Sequence, residues 1–294
     1  MATYIPQLGN FSDMNIDLQF KASQFDALSF RTTPIEILSY GLEPQILSHA
    51  TGFFWEHQGS QFLITNRHVV TGRNTFTDDY LTPELIQPYR IRYFEVKWYQ
   101  MPNDMWALTR QAVEIELFSD GQANFLQDPD FDLYRVDIVA IPLARLMEVN
   151  GKFSPFVNHF KFESLFHFTG DTCYTVGYPF RNYTGNMIPI WKSGTLASEP
   201  FFPVDNKPMF LLDTLTKDGM SGSPVFRRSF GPASGADLTM NLDSIVRTEF
   251  VGVYSGRMSS PEFAQAGLGI AWYANRIPRI ISNGIRPSSH SIHG

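Results

Sequence analysis

The chain has 294 residues, 43% hydrophobic and 18% charged, with 26 Phe and a net charge of −6. This composition excludes bulk disorder, leaves room for one large β domain or two small ones, and argues against a general nucleic-acid binder. The single cysteine, Cys173, excludes an intramolecular disulfide. Met1 to Asn10 holds no basic segment or continuous apolar run, and no stretch reaches the ~18 apolar residues of a membrane span. A reducing, cytoplasmic setting with neither signal peptide nor membrane segment is therefore expected.

Met1 to about Arg31 is weakly patterned and reads as a surface arm with a short helix near Asp26-Ala27-Leu28. From Ile35 onward the texture is strand and turn. Thr51–Glu56 and Gln61–Thr65, bridged by Gly59-Ser60, predict a hairpin. Arg90–Tyr99 and the more cleanly alternating Ala112–Phe118 predict two more strands, and Asp120-Gly121 a turn. In the second half, Thr172–Pro179, Ile188–Leu196, Pro208–Leu212, Ser223–Phe226 and Phe250–Ser255 are candidate strands. A helical pattern arises only at Ala274–Gly284, where Ile277, Ile280 and Ile281 share one face. Many short strands with turn signals predict a sandwich or barrel. Glu148–Pro155 reads as a joint between two halves. His290 and His293 fall in a Ser-rich tail that reads as disordered, and no Cys/His cluster has zinc spacing.

Three residues carry chemistry. His68 follows the strand-like Phe62–Thr65 and opens a Val-Val-Thr-Gly segment, so a strand end and a short helical turn would hold it. Asp137 heads Ile138-Val139-Ala140-Ile141, a buried-strand pattern, and a carboxylate entering such a run needs a partner. Asp132 lacks that run. Ser221 stands in Asp218-Gly219-Met220-Ser221-Gly222-Ser223-Pro224. A nucleophile on a tight turn needs small neighbours so that backbone N–H groups can face a developing oxyanion, and the donors expected are the amides of Gly219 and Ser221. Taken singly, each has a plain alternative: a core histidine, an aspartate bonding backbone amides, a turn entering a strand. Together, and in the order His, Asp, Ser, they are the base, orienting carboxylate and hydroxyl of a serine nucleophile.

These stretches resemble the trypsin-like peptidases, most closely the bacterial branch that includes the HtrA proteases. Thr65-Asn66-Arg67-His68-Val69-Val70, Asp137–Ile141 and Gly219–Pro224 carry the resemblance, with Val176–Pro179, Ser193–Thr195 and Gly252–Gly256 as further landmarks in the same order. It covers roughly Ile35 to Ile281. It implies an all-β fold of two perpendicular six-stranded barrels, about 35–146 and 156–272, followed by a short C-terminal helix. Residues 1–34 would form an arm and 286–294 a flexible tail. It implies a serine endopeptidase that needs no cofactor or metal, acting on protein or peptide substrate, with no nucleic-acid or membrane partner. Met220 replaces the aspartate that receives the new N-terminus in secreted trypsins, so zymogen activation by that route is not expected, and with 13 residues after Ile281 no PDZ domain is expected either. The position six before the serine, Leu215, would lie at the base of the primary specificity pocket, with Thr216 beside it and Tyr254-Ser255-Gly256 as wall and strand edge; an apolar or small P1 side chain is expected. A catalytically weak binding module on the same fold and an esterase using the same three residues are the rival readings.

Overall fold

The structure is a computed structural model and describes residues 20–21, 25–82, 87–100, 105–144, 154–163, 168–179, 188–231, 245–257 and 267–293. The expected joint at 148–155 lies almost wholly outside the described residues.

The first half contains β1 (Phe20–Lys21), β2 (Thr32–Leu38), β3 (Ile46–His57), β4 (Ser60–Thr65), helix α1 (Arg67–Thr71), β5 (Arg90–Gln100), β6 (Met105–Glu116), the small β7–β8 pair (Phe118–Ser119, Gln122–Ala123), β9 (Leu126–Gln127), helix α2 (Phe131–Tyr134) and β10 (Val139–Pro142). All but β7–β8 join one antiparallel sheet in the order β1-β6-β5-β2-β3-β4-β10-β9. The second half is β11 (Thr172–Gly177), β12 (Ile190–Leu196), β13 (Met209–Asp213), β14 (Pro224–Gly231), β15 (Ile245–Arg257) and β16 (Leu268–Tyr273), which close a barrel in the order β11-β12-β13-β16-β15-β14. Helices α3 (Arg276–Asn283) and α4 (Ser289–His293) follow.

The all-β architecture and the closed six-stranded second barrel are as the sequence predicts. The first half departs in detail: its ladder holds eight strands and does not close among the described residues. The β5–β6 hairpin is paired along all of Arg90–Gln100, and β1 adds to the outer edge of β6.

Two segments read as peripheral are core. The stretch before β2 forms a 3-10 turn, Ala27–Phe30, capped by the Asp26 side chain, and Leu28, Phe30 and Arg31 are buried rather than part of a surface arm. Trp191 donates to the Ser29 hydroxyl at 2.8 Å and Arg228 pairs with Asp26 at 2.6 Å, so this turn straps onto the second barrel. Arg31 donates to the Phe156 carbonyl, and burial lowers its guanidinium to about 10. At the other end, α3 turns Ile277 and Ile280 into the cluster containing Val136 and Ile138, beside Asp137. Fully burying two such side chains contributes about 1.5–3 kcal/mol each. Arg276 on α3 pairs with the wholly buried Asp128 at 2.6 Å. The expected flexible tail is helical instead. Ile292 of α4 is buried against the first sheet, and Ser289 and Gly121 share a 2.9 Å backbone bond. Each half therefore receives a strap from the far end of the chain.

Candidate active site

Strand β4 ends at Thr65, Asn66 is extended, and His68 is the second residue of α1. Gly72 closes that helix at φ 68°, its N–H on the His68 carbonyl, so one turn fixes the histidine backbone. Asp137 lies between α2 and β10 and is 1% exposed. Its burial would be costly without partners, and it has four. Oδ1 accepts the His68 backbone N–H at 2.8 Å and the Thr75 hydroxyl at 2.6 Å. Oδ2 faces His68 Nδ1 at 2.6 Å and accepts the Ser255 hydroxyl. Burial pushes the Asp137 carboxyl upward, but the adjacent His68 and the hydrogen bonds from His68, Ser255 and Thr75 outweigh it and hold the group below its ordinary range. Asn66 fixes the backbone here by donating to the Asp137 carbonyl at 2.6 Å. Asp132 is exposed on α2, away from this network.

The serine loop is built from backbone instead. Gly219 has φ 96° and Gly222 φ 84°, both in the left-handed region. A Cβ at Gly219 would collide with the Tyr178 carbonyl, and one at Gly222 with the Thr51 carbonyl, so conformation and space both demand glycine. Thr51 on β3 holds the loop across the seam between the halves. Its N–H donates to the Ser221 carbonyl at 2.8 Å, and its hydroxyl donates to the Gly219 carbonyl at 2.7 Å while accepting from the Tyr178 N–H at 3.0 Å. On the other side, Gly222 N–H and Tyr254 carbonyl pair at 2.9 Å, and Tyr254 N–H and Ser223 carbonyl at 2.8 Å. Met220 is buried in the second barrel's core with Phe210 and Tyr254.

Ser221 and His68 line one cleft of about 100 Å³, together with Leu47, His49, Val69 and Leu81. The Ser221 hydroxyl makes a long contact, 3.4 Å, to the Ser255 carbonyl, and no hydrogen bond joins it to His68 among the described residues. Ser255 sits at a β-bulge, where the register jumps between Tyr254 and Gly256 and leaves it unpaired with β16. That bulge turns its hydroxyl onto Asp137.

The structure thus brings His68 and Asp137 into contact, sets Ser221 on the same cleft as His68, and adds Ser255 to the carboxylate. The expected pocket residues divide. Thr216 and Tyr254 are buried with their hydroxyls bonded to each other, so they shape the barrel wall rather than present polar groups. Leu215 is 67% exposed, and its Cδ2 would lie 3.3 Å from a Cβ at Gly267. Gly256, at φ 131°, faces open space. Thr75 and Thr51 escape sequence reasoning, because a threonine in a polar loop or at a strand edge carries no local signal of a partner so distant in sequence.

An all-β chain with a closed six-stranded barrel and a seam cleft holding histidine and serine has the architecture of the chymotrypsin-like peptidases. The sequence matches the trypsin-like peptidase domain family over residues 50–231, a span that includes His68, Asp137 and Ser221, and the chain belongs to that family. No individual curated protein matches it significantly.

Proposed function

We propose that the protein is a serine endopeptidase in which Ser221 is the nucleophile, His68 the general base and then acid, and Asp137 the carboxylate that orients the imidazole. The observation that carries this reading is the 2.6 Å contact between His68 Nδ1 and a buried, fully bonded Asp137. An Nδ1–H donated to a carboxylate leaves Nε2 as the acceptor, the form a general base requires. Rotation of the Ser221 side chain away from the Ser255 carbonyl would hand its proton to Nε2; such bonds are often long before substrate binds. Oγ then attacks the scissile carbonyl, and the amides of Gly219 and Ser221 receive the oxyanion. The imidazolium gives its proton to the leaving amine, and water repeats the sequence on the acyl-enzyme. Thr75 and Ser255 act as positioning residues that keep Asp137 ionised and aligned. No cofactor enters.

Exposed Leu215 beside Gly267 offers no charge to a substrate side chain, which supports an apolar or small P1 residue. The flanks of His68 and Ser221 favour kinship with the HtrA branch, and a lone cysteine suits a reducing compartment. Fluorophosphonate labelling followed by peptide mapping tests the assignment. One adduct at Ser221, lost in His68→Ala, is expected. Labelling at another serine, or none, would remove the enzyme reading and favour a binding module.

A further inference from the structure

The loop 72–80 leaves α1 and carries Thr75, the hydroxyl donor to Asp137. It closes on itself. Arg73 and Tyr80 form a β-bridge across its mouth, the Asp78 N–H donates to the Asn74 carbonyl at 2.8 Å, and Asn74 Oδ1 accepts the Phe76 N–H at 2.9 Å. These bonds fix the shape of the loop but not its place against the sheet. Phe76 lies along Trp272 of β16 at 6.2 Å and anchors one side. The directional ties come from Asp78, whose backbone is left-handed at φ 59°. Its Oδ1 meets Arg67 Nη1 at 3.4 Å, and its Oδ2 meets Arg135 Nη1 at 2.6 Å. Arg67 immediately precedes His68, and Arg135 stands two residues before Asp137. One carboxylate therefore joins the segments that carry His68, Asp137 and Thr75.

The two arginines depend on that bridge. The Arg67 side chain is 4% exposed, and both guanidiniums lie over the Phe131 ring, at 4.1 and 5.1 Å. Burial lowers the Arg67 guanidinium from its ordinary value, Asp78 and then Asp137 oppose that, and Arg135 adds to it. Other acids of this region are matched elsewhere: Asp128 pairs with Arg276, and Asp130 with Arg276 and Arg279. Among the described residues, Arg67 and Arg135 form ion pairs with no carboxylate but Asp78. Two like charges on one ring stay together when an anion sits between them.

We propose that Asp78 is a positioning residue of the site: by bridging Arg67 and Arg135 it holds the loop where the Thr75 hydroxyl reaches Asp137. This role rests on the peptidase reading above, and it acts through Thr75 rather than on substrate. Charge and position have opposite signs here. Asn keeps the shape of Asp and tolerates the left-handed backbone, so Asp78→Asn removes the charge alone. Losing a negative charge and freeing two arginines would by itself make the Asp137 carboxyl more acidic; losing the Thr75 bond makes it less acidic. Of the groups bonded to Asp137 among the described residues, His68, Thr75 and Ser255, only Thr75 rides on the loop.

The test is a ¹³C NMR titration of the Asp137 carboxyl in the full chain, its signal identified by its loss in Asp137→Asn, alongside the pH dependence of fluorophosphonate labelling. Asp78→Asn should raise both the carboxyl titration and the acid limb of labelling by about one pH unit, a tenfold change in the proton equilibrium. In a Thr75→Val background it should add no further rise. Should Asp78→Asn fail to fold, Asp78→Gly, which suits the left-handed backbone, gives the same reading. A carboxyl that titrates at the native value or lower in Asp78→Asn, or a rise of full size that persists in Thr75→Val, would overturn the proposal. A native chain that takes no label would instead remove the peptidase reading, while the carboxyl titration still decides whether Asp78 acts through Thr75.

Discussion

The two sides of the cleft are built by opposite means. On the first-sheet side, side chains hold the site: Asp137 is enclosed by donors from His68, Thr75 and Ser255. On the second-barrel side, main chain holds it: two left-handed glycines and paired amides set the Ser221 loop, with Thr51 as the one side-chain tie among the described residues. A side-chain cage tunes ionisation, because each donor acts on the carboxylate charge. A backbone cage tunes only position. Disturbing the first should change how activity depends on pH; disturbing the second should change its level at every pH.

The largest expected effect is on the backbone side. Gly222→Ala places a methyl against the Thr51 carbonyl and the Thr65 hydroxyl in a left-handed conformation. A loss of about 3 kcal/mol or more in urea unfolding, with fluorophosphonate labelling gone, is expected. A fully labelled, fully stable variant would mean that the loop tolerates another conformation.

Thr51→Val keeps the shape but leaves the Gly219 carbonyl and the Tyr178 N–H without their shared hydroxyl. Losing one buried hydrogen-bonding group costs about 1–3 kcal/mol, so kcat should drop roughly ten- to a hundredfold at an unchanged pH profile. Thr51→Ser should restore it.

Thr75→Val tests the other side. Removing one donor raises the Asp137 pKa toward its ordinary value. The native group, held low, contributes stability above the unfolded carboxylate pKa and loses it as pH falls through the lower folded value. The variant should therefore begin to lose activity and stability at a higher pH than the native protein, by about 2 kcal/mol at neutral pH for a bond to a charged group. Thr75→Ser should return the acid limb to its place. A uniform loss at all pH values would make Thr75 a packing residue only.

The smallest effect concerns specificity. Leu215→Asp should shift peptide-library preference toward Lys or Arg at P1, modestly, because position 215 is well exposed and water screens the new charge. Native cleavage mainly after basic residues would show that Leu215 does not face the P1 side chain.

Much of this design is legible in sequence, and the limit is physical. Period-two alternation and Gly-rich turns locate many of the strands, though not β16, and a three-to-four spacing locates α3, because these patterns depend on neighbours within a few residues. The buried-strand run after Asp137 and the glycines around Ser221 mark the proposed site for the same reason. The Ala27–Phe30 turn and α4 were not legible as core, since what buries them is a surface supplied by the far end of the chain.

The sequence by itself determined the all-β class, the positions of many of the strands, and the His68, Asp137 and Ser221 set on which the proposed function rests. Only the tertiary structure decided what surrounds them. It recruited Thr75 to Asp137 across 62 positions, Ser255 to Asp137 across 118, and Thr51 to the serine loop across 168. A hydroxyl has no local pattern that announces a partner so distant; its role is fixed when sheet and barrel pack, because a buried carboxylate or carbonyl must find a donor there.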